Sequence, residues 1–188
     1  RYSDLEIHGI SGNTALKEAC VSSVASTDYC HFDPDLRSGI GLFGQAKSSQ
    51  SELRNREVGK NDLFLFFGWF KRFHLKERDT HHLFGWLQIK DILTSDIDIK
   101  NYLKERGLAH PHGFGNKSDY PNNALYIGRE KMNLAKRAGE IPGFGIFKKT
   151  SPDLVLSEIG KTRSHWKLPK RYFSKSKNLL DRKSTRLN

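Results

Sequence analysis

The chain has 188 residues, 36% of them hydrophobic and 28% charged, with a formal net charge of +11. That length buries a real core and favours one domain. No apolar run nears the roughly 20 residues of a membrane-spanning helix, which excludes a helical membrane protein and leaves a soluble, cytoplasmic reading. The charge is unevenly placed: residues 161–188 hold ten Lys/Arg against the single Asp181, leaving 22 basic and 20 acidic residues in a nearly neutral body. The basic end suits contact with phosphates and suits a solvated terminus equally.

Cys20 and Cys30 show neither Cys-x-x-Cys spacing nor a partner pair that would complete a structural zinc site, so they read as reduced thiols. The chain opens at Arg1 without a methionine or a signal-like segment, as a fragment missing its true start would. Its last six residues lack periodicity, look appended and are set aside from fold reasoning. The organisation expected is a loop-rich segment over 1–30, one domain over 31–173 and a basic tail over 174–188.

In chain order, a short helix is expected near 15–21. Pro34 forces an extended or turn conformation on Asp33. A helix over 45–57 should end at Gly59. Leu63-Phe-Leu-Phe-Phe-Gly-Trp-Phe70 is an apolar run whose length suits a strand buried on both faces. A second aromatic run, 81–89, lies at hairpin separation and predicts antiparallel pairing. Gly68 and Gly85 suggest bulges or close approaches, and a barrel corner would explain both. Ile99, Tyr102 and Leu103 share one face of a helix over 96–106 that Gly107 stops and that lids the sheet. Short strands are expected at 124–128, 145–148 and 154–157, and a helix at 129–138. The fold class is therefore α+β: a small curved antiparallel or mixed sheet, or a barrel, with a few short helices.

Two constellations carry chemistry. His31, Asp33 and Asp35, with His110 and His112, supply the imidazoles and carboxylates that an iron or zinc centre would use. His-Pro-His is also an ordinary turn, and Asp-Pro-Asp often only fixes a loop. The second constellation is aromatic and amide. Trp69, Trp86, Tyr126 and Trp166 offer faces on which a flipped or single-stranded base stacks. Gln45, Gln88, Asn122 and Asn123 can read a base edge, since amides both donate and accept. Against this, aromatics in strands mostly build the core. Arg129, Lys131, Lys136, Arg137, Arg163, Lys167, Lys170 and Arg171 could follow a phosphate backbone. Gly113-Phe-Gly115 and Gly143-Phe-Gly145 lack a phosphate-loop pattern and read as tight turns. No elbow or triad spacing supports a nucleophilic hydrolase.

The succession His31-x-Asp33-Pro34-Asp35-Leu36, Phe43-Gly44-Gln45, 62–70 and Gly85-Trp-Leu-Gln-Ile89 resembles the third type of the nucleotide modification associated domains. His110-Pro111-His112, Asn123-Ala-Leu-Tyr126, the glycine turn at 143–147 and Ser164-x-Trp166-x-Leu168-Pro169 extend the resemblance over about 31–169. It implies association with bacterial and phage systems that make or act on modified DNA bases, with DNA or a modified nucleotide and other DNA-modification proteins as partners. It implies no reaction. The family's glycine- and serine-rich N-terminal segment is not recognisable in this chain. At the level of fold alone, the strand from Asp62 and the aromatic strand after it resemble PUA-like barrels, which include readers of modified cytosine.

Two function classes follow. A module that reads a modified base requires Trp and amide side chains to converge. An enzyme that installs or elaborates the modification requires the His and Asp clusters to meet within hydrogen-bond or metal-ligand reach. A structural partner in a modification complex would leave both scattered.

Overall fold

A computed structural model describes residues 1–7, 9–18, 24–28, 30, 32–37, 39–71, 78–114, 120–133 and 141–168. The N-terminal part is a two-stranded antiparallel ribbon, β1 (Glu6–Ile7) with β2 (Ile10–Ser11), leading into α1 (Gly12–Glu18). This helix begins three residues before the stretch expected from sequence, because Gly12 without a Cβ lets the backbone pack against the Tyr2 carbonyl.

The body is a five-stranded sheet in the order β3 (Leu42–Gln45), β6 (Ala124–Gly128), β5 (Thr80–Leu93), β4 (Leu63–Phe70), with β7 (Phe144–Ile146) also on β5. Every named pairing is antiparallel. The fold is α+β as expected, but the sheet is open, ending at β3 and β4, and barrel closure is not among the described pairings. β5 is the spine. Residues 80–88 pair with β4, while its opposite edge pairs with β7 at Gly85–Leu87 and then with β6 from Ile89 onward. The β4–β5 register shifts between Phe66 and Phe67, leaving Phe84 without an opposite residue. A Cβ at neighbouring Gly85 would come within 2.6 Å of Leu36 Cδ1, so both the bulge and the close approach expected there are present.

The strand buried on both faces is β6 and not the longer apolar run of β4. Ala124 and Tyr126 face one cluster with Leu36, Phe66, Leu87 and Ile89; Leu125 and Ile127 face another with Leu42, Ile99 and Leu103. Helix α2 (Lys47–Asn55) covers the first cluster with Leu53, and α3 (Asp96–Glu105) covers the second with Ile99 and Leu103. β4 lies at the edge, and Leu65 (52%) and Trp69 (62%) are exposed. A continuous apolar run reports strand propensity and leaves the order of strands open.

The helix ends differ in how well sequence foretold them. α3 starts at Ser95, whose side chain accepts from the Asp98 amide, and ends before Gly107, which has a positive φ. α2 stops earlier than expected: Arg56 caps it and Glu57 takes the left-handed conformation, while the Gly59 amide donates to Asp62. Residues 154–157 form isolated bridges, His82 with Val155 and Ser157 with Trp166, in place of a strand. The stretch 143–145 leads into β7 and pairs with β5 where a tight turn was expected. Lys131 bridges Pro142, so the start of the 129–138 stretch is not helical; residues 134–138 lie outside the described ones.

Candidate functional site

Asp33 precedes β3, Gly44 lies within β3, Asn123 directly precedes β6, and α4 (Pro111–Phe114) closes over them. Pro111 suits the first helical position, where the missing N–H costs nothing. The Gly113 amide donates to the His110 carbonyl, and the His112 amide to His110 Nδ1 at 3.4 Å, so the His-Pro-His sequence caps this turn with its own side chain. Gly113 packs on Leu103, where a Cβ would collide, which seats α4 on α3.

This seating brings two of the three predicted histidines to one of the two predicted carboxylates. Asp33 Oδ1 accepts from the Gly44 amide at 2.9 Å and faces His110 Nε2 at 3.6 Å; Asp33 Oδ2 faces His112 Nε2 at 3.4 Å. All three side chains are buried. Behind them, His112 Nδ1 meets Asn123 Oδ1 at 2.6 Å, and Asn123 Nδ2 donates to Asp96 Oδ1 at 3.0 Å and to the His112 carbonyl at 2.9 Å. Those two acceptors fix the amide orientation, so Asn123 presents its oxygen and His112 Nδ1 must carry hydrogen.

The electrostatics favour a charged pair. Burial, the largest single influence on Asp33, pushes its carboxyl up, but the facing His110 and His112 imidazoles and the Gly44 amide together hold it below its ordinary value. Burial likewise pushes His112 down, and Asp33 with Asn123 outweighs it, leaving the imidazole above its ordinary value. His112 thus tends towards imidazolium, with Nε2–H aimed at Asp33 and Nδ1–H held by Asn123. His110 Nδ1 accepts from the His112 amide, which places the ring hydrogen on Nε2. That buried atom has no hydrogen-bond partner among the described residues, the Asp33 contact being too long. No group of three or more His, Cys, Asp or Glu side chains placed to hold a metal ion occurs among the described residues.

The remaining candidates lie apart. Asp35 forms a two-point ion pair with Arg37, which with a smaller contribution from His110 lowers its pKa, and its backbone pairs with Leu42 at the start of β3. His31, Lys136, Arg137, Lys170 and Arg171 lie outside the described residues. Tyr126 is in the core, its hydroxyl donating to Gln50 Oε1 at 2.8 Å. Trp166 is buried, donating from Nε1 to His81 Nδ1 at 2.9 Å. Gln88 is buried and spends its amide on Asn61 and Asn133 backbone atoms. Trp86 is half-buried and bonds the Pro142 carbonyl. Trp69 is exposed, with the Arg163 guanidinium 4.1 Å from its ring centroid and Arg163 also paired to Asp79. Gln45 is half-buried in β3, and Asn122 bonds Ser51. No ring contact among the described residues joins any two of the four aromatics. Among the described residues, sequence reasoning missed Gly44, Asp96 and Tyr120, whose ring lies 4.9 Å from that of His112. Only the glycine inside a strand offered a local signal.

No helix among the described residues is long and apolar enough to cross a membrane. The family model of nucleotide modification associated domain 3 matches residues 1–187, so the likeness extends on both sides of the 31–169 stretch that carried it in the sequence and takes in the first thirty residues. No curated protein and no solved structure matches the chain. The family name points to a role associated with nucleotide modification, and the chain belongs to the nucleotide modification associated domain 3 family.

Proposed function

We propose that this chain processes a nucleotide base by proton transfer, with Asp33 and His112 as the acid–base pair. The observation that carries the reading is the meeting of Asp33, His110 and His112, drawn from distant segments around one carboxylate and backed by Asn123 and Asp96. The dispersal of the aromatics speaks against a base-reading pocket built from them. His112 Nε2 gives its proton to a ring nitrogen of the base, keeping its Nδ1–H on Asn123, while Asp33 takes a proton from the water that adds to the adjacent ring carbon. As the exocyclic amine leaves with the Asp33 proton as ammonia, the new hydroxyl returns a proton to His112, so a C–N bond is exchanged for C–O and both side chains end as they began. At 3.4 Å the His112–Asp33 contact is loose, as acid–base contacts often are before substrate tightens them. The unpartnered Nε2–H of His110 suits a carbonyl oxygen or ring nitrogen of the same base.

The test incubates the full chain with DNA carrying unmodified, methylated or hydroxymethylated bases, and separately with the free nucleotides, followed by mass analysis of released nucleosides. Base conversion that falls about 100-fold or more in His112→Gln and Asp33→Asn, and persists in Tyr126→Phe, is expected. Conversion unchanged in His112→Gln, or no conversion of any substrate, overturns the reading.

A further inference from the structure

At the end of the sheet where β4 closes and β5 opens, an open groove of about 420 Å³ is lined by Phe70, Phe84 and Phe147, with Lys71 and Arg78 among its walls. In the sequence these three phenyl rings fall only in strand and turn patterns and carry no assigned site. Phe84, left opposite no residue by the bulge, stacks on core Phe66 with centroids 6.1 Å apart and so forms a fixed back wall. Phe70 meets Phe84 and His82 edge-on at 6.3 and 5.6 Å, and remains 47% exposed. Phe147 is 37% exposed and is held by its amide on the Phe84 carbonyl and by Trp86 at 4.8 Å. His82 Nε2 pairs with Thr150 Oγ1 at 2.7 Å, which ties the outer loop to β5.

Among the described lining residues the charged side chains are both basic. Lys71 and Arg78 are exposed, no carboxylate is among the described lining residues, and exposed Lys148 and Lys149 follow Phe147 directly. Arg78 spends one nitrogen on the Gly160 carbonyl at 3.3 Å, and this aims the guanidinium while leaving other donors. Flat apolar faces set between cations match a ligand that alternates rings with phosphates. Trp69, the most exposed aromatic of β4, is already covered on one face by Arg163, so the free ring faces are those of Phe70 and Phe147. The groove is open and not enclosed, and its volume falls within the usual range for bound organic groups, which fits a passing strand better than a captured monomer.

We infer that this groove binds single-stranded nucleic acid, its phenyl rings stacking bases and its cations contacting phosphates. The ligand class rests on the nucleotide-processing reading; the site itself does not involve Asp33 or His112.

The test is fluorescence anisotropy of the full chain with a labelled single-stranded DNA 12-mer, the matching duplex and free thymidine monophosphate, across a salt series. Phe70→Ala and Phe147→Ala are each expected to weaken single-strand binding about five-fold or more. Lys71→Gln and Arg78→Gln, both on exposed side chains, should each lower the magnitude of the logarithmic salt slope by about 0.7. The basic C-terminal residues are common to all variants, so their contribution cancels. Asp33→Asn should bind as the wild type does, so loss of conversion with retained binding in that variant supports both readings. A wild-type chain that binds single strands and converts no substrate would overturn only the acid–base reading. Equal affinity for duplex, preference for the free nucleotide, no binding at all, or cation variants that bind as the wild type does would overturn the groove assignment.

Discussion

The His112 ring lies directly against the Cα of Gly44, in space that a Cβ at position 44 would occupy. The same glycine donates its amide to Asp33, so one backbone position sets both the floor under the imidazole and the placement of its carboxylate. Gly44→Ala is expected to cost about 1–3 kcal/mol of stability through overpacking. It should also abolish base conversion, because the His112 ring must leave Asp33. Denaturant melts alongside mass analysis of products check both effects.

The Asp33–His112 pair gives a signed pH dependence. Asp33 is held below its ordinary 3.8, so its contribution is present above that value and lost as pH falls through the lower folded value. His112 is held above its ordinary 6.5, so its contribution is complete below 6.5 and lost as pH rises through the higher folded value. The pair therefore stabilises the fold most fully between 3.8 and 6.5. Asp33→Asn should cost about 1.5–3 kcal/mol at pH 5 and less at pH 8. Urea unfolding at both values reads the difference, and an equal cost at both would show that the His112 charge does not matter.

Removing Asp33 also removes what lifts the His112 pKa. In Asp33→Asn the imidazole is expected to titrate lower than in the wild type, since the hydrogen bond and charge of Asp33 no longer offset burial. NMR titration of the ring protons measures this directly. A structural role for Asp33 that did not involve proton affinity would leave the titration where it was.

Ser157 holds the region around Trp166. Its hydroxyl accepts from the His81 amide at 2.8 Å and donates to the Arg163 carbonyl at 2.5 Å, and the side chain is buried. Ser157→Ala leaves a buried amide unpaired and should cost about 1–3 kcal/mol. The Trp166 indole bonds His81, so its fluorescence should report the change.

Tyr126→Phe deletes one hydrogen bond, to Gln50, inside the core. A loss of about 1 kcal/mol is expected, with nucleic-acid binding unaltered in the anisotropy assay.

The parts of this fold legible in the sequence are those set by local chemistry. The 63–70 and 80–93 hairpin follows from two aromatic runs at short separation, and α3 follows from Ser95, the Ile99–Leu103 face and Gly107. Strand order is not local. β6 has five residues and is central because α2 and α3 cover its two faces, whereas β4 has eight apolar or glycine residues and stands at the edge. The site was legible as a set of residue types around Asp33 and His110-Pro-His112, but not as a geometry. Asn123 was singled out to read a base edge, and it lies behind His112; Asp96 read only as a helix start, and it anchors Asn123. Both roles depend on where α4 sits against the start of β6, which no spacing in the sequence encodes.

The spine role of β5 orders the way this chain assembles. β4 joins it across the short 71–79 connection, a closure that costs little chain entropy, whereas β3 reaches β6 only after most of the domain has been threaded between them. Asp33, Gly44, His110 and Asn123 come together with that later pairing. The hairpin can therefore exist without the site, but the site cannot exist without the closed β3–β6 edge. As the domain opens under mild stress, the amides of Gly44 and Asn123 should exchange with solvent before those at the centre of β5, and chemistry should fade while most of the sheet still stands.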